Sequence, residues 1–360
     1  MINPWNKKHA LVVGLTGITG HSLTEHLLCK GWEVSGICRK PPLYPNSAQV
    51  VLTDVTDKEK TKAALAQVNP THVFFCTWSR QATEAENCRV NSDILKNVFE
   101  GTLSDGRKIE HASLVTGLKH YLGPFDKYGA DGSATPFREE QPRLPYENFY
   151  YAQEDILFDY AKKHNFAWSV HRPHTVIGWA IGNAMNMGVT LAVYGTICKE
   201  TGRPFAFPGS KMQYEGIVDV TDARILACQL EWAATSPQAA NQAFNIVNGD
   251  VFRWRRMWTV VAMELGVEPA PYSGEASPLE KQMVDAGPIW KKIATKYGLA
   301  VDNINNLASW WHTDLDLGRP IEAFTDMSKS RNLGFLDYQE TDGSFRHLFA
   351  ELRANKIIPN

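Results

Sequence analysis

The sequence contains no apolar run approaching the ~18 residues needed to cross a bilayer. It enters a strand pattern within about ten residues of its start, which leaves no room for a signal peptide. An excess of charge of either sign is also missing. The 37 basic and 39 acidic side chains give a formal net charge of -2, and the pI is near 6.6. That excludes the clustered basic footprint of a nucleic-acid or anionic-membrane partner. The six cysteines, Cys29, Cys38, Cys76, Cys88, Cys198 and Cys228, include no CxxC pair. Mostly flanked by apolar residues, they read as buried reduced thiols of a cytoplasmic protein. His171 and His174 form an HxxH with no third ligand-like neighbour, so no metal is expected. No internal repeat is present. At 360 residues and 44% hydrophobic content, the chain can build one large domain or two that share a core.

What is there is an alternation of strand and helix. His9 to Leu15 is a short apolar, β-branched run, followed by a turn containing Gly14, Gly17 and Gly20 and then by a helical pattern that stops at Gly31. Glycines between a strand and a helix let the backbone approach a pyrophosphate, and the helix start aims its N–H groups at the negative charge. A second strand, Glu33 to Cys38, ends in Arg39 and Lys40, with no acid placed to grip a ribose 2′-hydroxyl. Two cations there suit a 2′-phosphate. A third strand, Val50 to Val55, carries Asp54 at its end as an acceptor for an adenine amino group. His72 to Thr77 is almost continuously apolar, as in a parallel sheet buried on both faces, and ends in Thr77 and Trp78. Helical stretches at Lys58 to Val68 and Thr83 to Leu103 connect these strands, and a fifth strand runs from Ile109 to Thr116.

Gly123 to Pro145 is rich in Gly, Pro and charge and reads as a long functional loop. A helix follows to His164-Asn165, then a sixth strand, Phe166 to His171, which Arg172-Pro173 is expected to end. Residues 174 to 178 would then run past a nicotinamide. Further on come a helical pattern from Asn183 to Lys199, strands at Glu215 to Val220 and Ala243 to Val247, and helices at Ala223 to Ala234 and Phe252 to Leu265. The last third is mainly helical. Trp254, Trp258 and the pair Trp310-Trp311 read as core, although some of the 11 tryptophans would suit an apolar pocket. The expected fold is α/β, a doubly wound Rossmann-type parallel sheet. Residues 1–178 would form the nucleotide domain and 179–360 a smaller, mainly helical substrate region, its strands near 215–220 and 243–247 returning to the nucleotide domain or its edge. The candidate cofactor contacts are Gly14, Thr16, Gly17, Ile18, Arg39, Lys40, Asp54, Val55, Thr77, Trp78, Thr116, Gly117, Pro173 and Val176.

The segment Pro145 to Asp159 sits where short-chain reductases carry the tyrosine that faces the nicotinamide. Yet no tyrosine in the chain is followed four residues later by lysine; Tyr146 meets Tyr150, Tyr150 meets Glu154 and Tyr151 meets Asp155. A phenol with a pKa of ~10 usually relies on a nearby cation. The candidate cation is Lys119, beyond the fifth strand. Under the competing reading, Tyr150 and Tyr151 cap a helix in a hydrophobic wall and Lys119 is solvated.

Several segments resemble the progesterone 5β-reductase and iridoid synthase family, an atypical branch of the extended short-chain dehydrogenases. They are Gly14-Leu-Thr-Gly-Ile-Thr-Gly20, Cys38-Arg39, Thr77-Trp78, Thr116-Gly-Leu-Lys-His-Tyr-Leu-Gly-Pro124, Asn148-Phe-Tyr-Tyr-Ala-Gln-Glu-Asp155, Trp168-Ser-Val-His-Arg-Pro173 and Phe244-Asn-Ile-Val-Asn-Gly-Asp250. The Lys-His-Tyr and Asn-Phe-Tyr-Tyr segments are specific, whereas the glycine turn is shared by many nucleotide-binding proteins. The regions around 183–215 and 270–340 match less clearly. The resemblance implies NADPH-dependent reduction of an activated carbon-carbon double bond, with Tyr150 as catalytic tyrosine and Lys119 as catalytic lysine. The partner it implies is a small apolar carbonyl compound with a conjugated double bond, and a homodimer stays open. Two alternatives remain: a sugar-nucleotide epimerase, dehydratase or carbonyl reductase of the same fold, and a non-catalytic NADPH sensor.

Overall fold

A computed structural model describes residues 8–124, 127, 134–182 and 185–360. The start of the helical pattern at Asn183, and much of the loop expected between Gly123 and Pro145, lie outside the described residues. Nine strands are described: β1 (His9–Val13), β2 (Glu33–Cys38), β3 (Gln49–Leu52), β4 (His72–Phe75), β5 (His111–Val115), β6 (Ala167–Pro173), β7 (Val176–Ile177), β8 (Thr221–Asp222) and β9 (Gln242–Ile246). Seven form one sheet in the order β3-β2-β1-β4-β5-β6-β9, and β7 pairs with β8 in a second. Every pairing is parallel. The chain reverses its direction of travel across the sheet between β1 and β4, and it is at such a switch point that doubly wound sheets open a crevice.

The N-terminal half carries α1 (Ile18–Cys29), α2 (Lys58–Leu65), α3 (Glu84–Thr102), α4 (Lys119–Leu122) and α5 (Phe149–His164). The rest of the chain adds α6 (Met187–Thr201), α7 (Lys211–Glu215), α8 (Ala223–Thr235), α9 (Trp254–Leu265), α10 (Leu279–Gln282), α11 (Ala286–Tyr297), α12 (Trp310–Leu317), α13 (Ser328–Asn332) and α14 (Thr341–Ala354). The period-2 geometry of β1 sends Leu11 and Val13 into a core with Leu95, Val98 and Leu157 on one face of the sheet. Ala10 and Val12 enter a second core with Leu23, Leu27 and Leu226 on the other. A third core lies in the C-terminal half, where Phe205 stacks on Trp258 at 4.3 Å between centroids and α6 is buried from Met187 to Cys198.

Several local expectations change. Strand β6 continues through Pro173, which pairs with Ile246; it lies beyond the last β5–β6 pair, Val115 with His171, so the ladder to β5 has ended before its missing N–H. Over 215–220 the chain leaves α7, makes an isolated bridge at Val218 and enters β8 only at Thr221. All six cysteines are free, but Cys29, the last residue of α1, is exposed, and only Cys38 and Cys198 are fully buried. No helix among the described residues is long and apolar enough to cross a membrane.

A buried polar ladder crosses the sheet. Ser169 Oγ lies 2.9 Å from His111 Nε2 and 2.9 Å from His171 Nε2, while His171 Nδ1 lies 2.8 Å from Gln229 Oε1. Burial holds His111 down at about 3, and the charges of His72 and His171 add to this. Burial likewise holds His72 and His171 at about 4. Because these folded values lie below the unfolded ~6.5, the unfolded chain binds more protons in acid. Stability is therefore intact above pH ~6.5 and is lost as the pH falls below it. His26 acts in the opposite sense, raised to about 9 by its hydrogen bonds to Cys228 and Glu231, so its contribution is lost only as the pH rises toward that value. Between pH 7 and 5 the three buried histidines dominate, each costing roughly 2 kcal/mol by pH 5. Urea denaturation at the two pH values should show a clearly lower midpoint at pH 5. An unchanged midpoint would mean that these imidazoles are not buried neutral.

Candidate active site

The carboxyl ends of β1, β2, β4, β5 and β6 open into a cleft of about 1070 Å³. Its first wall is the glycine turn. Gly14 and Leu15 both donate their backbone N–H to Ile37 O, which fastens the turn to β2. Gly14 has φ +98°, and a Cβ there would meet Thr77 Cβ at 2.9 Å. A Cβ on Gly20 would stand 2.0 Å from Gly14 O. Gly17 is the N-cap of α1 and offers no side-chain cap, so the first N–H groups of the helix lack that partner. These features fit a dinucleotide pyrophosphate, which needs close backbone approach and unsatisfied donors.

The two cations after β2, Arg39 and Lys40, are exposed at the cleft rim. Asp54 opens a turn in which its Oδ1 accepts from Thr56 N at 3.1 Å and Thr56 Oγ1 at 2.8 Å. Those hydrogen bonds, with a smaller contribution from Arg39, hold its carboxyl below the usual range. Thr16, Ile18, Val55, Thr77, Trp78, Thr116, Gly117, Pro173 and Val176 line the same cleft, as do Lys119 and Tyr150. The structure thus brings together every site residue expected from the sequence.

Tyr150 is set by the start of α5. Asn148 caps that helix, accepting from Tyr150 N at 3.0 Å, and its Nδ2 donates to Lys119 O at 2.8 Å. The same amide therefore fixes tyrosine and lysine relative to one another. The Tyr150 ring packs on Phe149 at 4.4 Å between centroids, and Phe149 stacks on Trp78 at 5.2 Å. The Tyr150 hydroxyl lies 3.4 Å from the Cβ position of Gly117, so a side chain at Gly117 would crowd it. Burial, and then the Glu84 carboxylate, push the phenol well above its usual value.

Lys119 is not solvated. Its side chain is 3% exposed and its Nζ lies 2.6 Å from Glu84 Oε2 and 4.4 Å from the centre of the Phe149 ring. Sequence reasoning missed Glu84. An acid after Thr83, the N-cap of α3, reads locally as a helix-dipole residue, and nothing local signals a partner 35 positions away. Also missed was a polar cluster at the far side of the cleft. His174 Nδ1 donates to Asp219 Oδ1 at 2.6 Å, and Arg319 donates to His174 Nε2 at 2.5 Å and to Asp316 Oδ1 at 3.0 Å. Burial and Arg319 hold His174 below its usual value and hence neutral. Burial raises the Asp316 carboxyl, but chiefly the Arg319 guanidinium more than offsets this and leaves it below the usual range. His312, whose Nδ1 is buried without a hydrogen bond among the described residues, also lines the cleft. Among the described residues, no group of three or more His, Cys, Asp or Glu side chains could hold a metal.

The sheet order, the switch-point cleft and the glycine turn define a protein of the Rossmann fold. The chain belongs to the PRISE-like Rossmann-fold domain family, which matches residues 46–359. It is 40% identical to an (S)-8-oxocitronellyl enol synthase of Nepeta racemosa, the match covering 97% of this chain and 93% of that protein. It is 37% identical to a 3-oxo-Delta(4,5)-steroid 5-beta-reductase of Arabidopsis thaliana over the same shares. The UDP-glucose 4-epimerase of Thermus thermophilus in complex with NAD superposes with a TM-score of 0.66 at 16% identity, covering 96% of this chain and 99% of that one. At that identity the likeness shows the fold alone.

The closest approach in the cradle yields a direct test. Gly20→Ala should destabilise the protein by roughly 1–3 kcal/mol, since the new methyl forces backbone apart. A urea midpoint equal to that of the unsubstituted protein would mean that the turn has slack which the 2.0 Å approach denies.

Proposed function

We propose that this protein is an NADPH-dependent reductase of carbon-carbon double bonds conjugated to a carbonyl. The observation that carries the reading is the Tyr150 phenol, which lines the cleft and makes no hydrogen bond to any described residue. Support comes from relatives that are named as a 3-oxo-Delta(4,5)-steroid reductase and as enol synthases. Gly14 and Gly17 would hold the pyrophosphate of NADPH and Arg39 and Lys40 its 2′-phosphate, and the cofactor would supply a hydride for the β-carbon of the substrate. Charge then develops on the carbonyl oxygen, and Tyr150 donates a hydrogen bond to it; a preorganised donor of this kind is commonly worth ~3–4 kcal/mol. Lys119 assists by anchoring Asn148 through its carbonyl and by holding the Glu84 ion pair against the Phe149 ring. No proton has to leave Tyr150, because the enolate can take one at carbon from solvent.

The substrate on this reading is a small, largely apolar enone or enal held between the nucleotide half and residues 179–360. His312 and the Arg319 cluster provide the polar end of that space. The free cysteines accord with a reducing, cytoplasmic setting. The missing Tyr-x-x-x-Lys spacing weighs against an epimerase or carbonyl reductase, and a sensor has no need of the tyrosine.

Two measurements test this. Tyr150→Phe should lower kcat for an enone by roughly 10²-fold or more while leaving NADPH affinity within about twofold. Full activity in that variant would sink the mechanism. Arg39 and Lys40 can pair with a 2′-phosphate, and no acid repels it there, so Arg39→Glu should weaken NADPH roughly tenfold or more relative to NADH. Equal affinity of the unsubstituted protein for the two dinucleotides would refute the cofactor preference.

A further inference from the structure

We infer that Glu84 fixes the charge state of the tyrosine-lysine pair, keeping Tyr150 a neutral hydrogen-bond donor, and thereby directs reduction to the conjugated double bond and away from the carbonyl. The inference rests on the proposed reductase reading. Its structural basis is a carboxylate shared among three helix starts. Glu84 is the first residue of α3. Its Oε2 lies 2.6 Å from Lys119 Nζ, the first residue of α4, and also accepts from Asn87 Nδ2 at 3.1 Å. Its Oε1 accepts from Phe149 N, at the first residue of α5, at 2.9 Å. With both oxygens engaged, the carboxylate has no freedom to swing away from the lysine.

An uncompensated lysine beside a phenol would favour the phenolate. Here the lysine charge is answered by Glu84, and a phenolate at Tyr150 would itself face that carboxylate. Burial, the larger cause, already raises the Tyr150 phenol, and the Glu84 carboxylate adds to it. Cys88 is pushed up to about 11 by burial and by Glu84 and Glu147, so it stays an uncharged thiol. Beyond α4, Glu154 and Asp155 are paired with Arg143 and Arg172. His120, 3.6 Å from Glu154, is kept below its usual value, chiefly by burial.

The chemical consequence follows from where the proton ends. In 1,4-reduction the β-carbon gains the hydride, the π pair moves to oxygen as an enolate, and the α-carbon is protonated by water. NADPH supplies the two electrons and leaves as NADP⁺, and Tyr150 keeps its proton throughout. In carbonyl reduction the hydride goes to the carbonyl carbon and the alkoxide takes the phenol proton, leaving a tyrosinate. Glu84 penalises the second outcome more, because there the charge comes to rest on the phenol oxygen itself, nearer the carboxylate. Acting through Lys119 and Tyr150, it is a positioning residue rather than a catalytic one.

The test reads the ionisation of Tyr150 by NMR of protein labelled at tyrosine Cζ, with Tyr150→Phe assigning its resonance among the 12 tyrosines. Neither NADPH nor substrate is present, so this result is independent of whether the reaction has been read correctly. In the unsubstituted protein the resonance should stay that of a phenol to the alkaline limit of folding. In Glu84→Gln it should titrate within the folded range, about one pH unit or more below that limit, and in the Glu84→Gln/Lys119→Met double variant that change should be lost. Glu84→Asp, which withdraws the carboxylate from the lysine, gives the same direction of change should the glutamine variant fail to fold. In a product assay with an enone, the share of carbonyl-reduced alcohol should rise in Glu84→Gln. A Tyr150 resonance that behaves alike with and without the Glu84 carboxylate, whether by titrating at the same pH or by staying a phenol in both, would overturn the inference.

Discussion

One buried amide decides the geometry of the cleft wall. Asn148, only 3% exposed, accepts from Tyr150 N and donates to Lys119 O. These two bonds start α5 and tie it to α4 at the same point. Leaving either partner unsatisfied in a dry interior would cost on the order of 1–3 kcal/mol. The tyrosine and lysine come from different sheet crossings, 31 residues apart in the numbering, and no shared helix face aligns them. In the usual arrangement a single helix turn would set their spacing; here the spacing is set by Asn148, by the Glu84 carboxylate bridging α3 to α4 and α5, and by the Tyr151 hydroxyl donating to His120 O at 2.6 Å.

That junction works only because the sheet presents its strand ends together. Parallel pairing from β3 to β9 points every carboxyl end the same way, so the residues after β1, β2, β4, β5 and β6 meet without long-range loops. The loop after β4 is held by α3: Asn91 Oδ1 accepts from Ser79 N at 2.7 Å and Asn87 Oδ1 from Gln81 N at 2.8 Å. The helix that presents Glu84 thus also shapes the backbone beside Trp78. Arg80, in the same loop, lies 3.7 Å from the Trp311 ring centre, joining the N-terminal half to α12.

The parts of this architecture legible in the sequence are those governed by local rules. Continuous apolar runs mark β1 and β4 because both faces of the sheet are covered, and the glycine turn is visible because Gly14 needs φ +98° and Gly20 must touch the Gly14 carbonyl. The end of α5 is readable from Asn165, which adopts φ 56° as its C-cap. What is not legible depends on pairing at a distance. Nothing in Thr83-Glu84-Ala85-Glu86 distinguishes a solvated first turn from a buried clamp. Arg319 sits in an aperiodic stretch, yet folding brings it within hydrogen-bond reach of His174, 145 positions away. The strand pattern at 215–220 fails for a related reason, since Val218 bridges both Phe252 and Ala323, outside any ladder.

The distribution of charge around the cleft follows from the cost of burying it. Arg39 and Lys40 stand at the exposed rim, where an unpaired cation stays hydrated. Lys119 and Arg319, each at most 5% exposed at the side chain, are paired with carboxylates. A lone buried cation next to Tyr150 would be a stronger electrophile for a carbonyl oxygen, but it would carry a desolvation penalty that the fold must offset elsewhere. Pairing Lys119 with Glu84 removes most of that penalty and most of the electrostatic pull together. On the proposed reading, what remains to answer charge on a substrate carbonyl oxygen is the Tyr150 hydroxyl, on a residue held at its backbone by Asn148 and at its ring by the Phe149–Trp78 stack. A donor so held needs no reorganisation when the charge appears, which is the condition under which a single hydrogen bond contributes most.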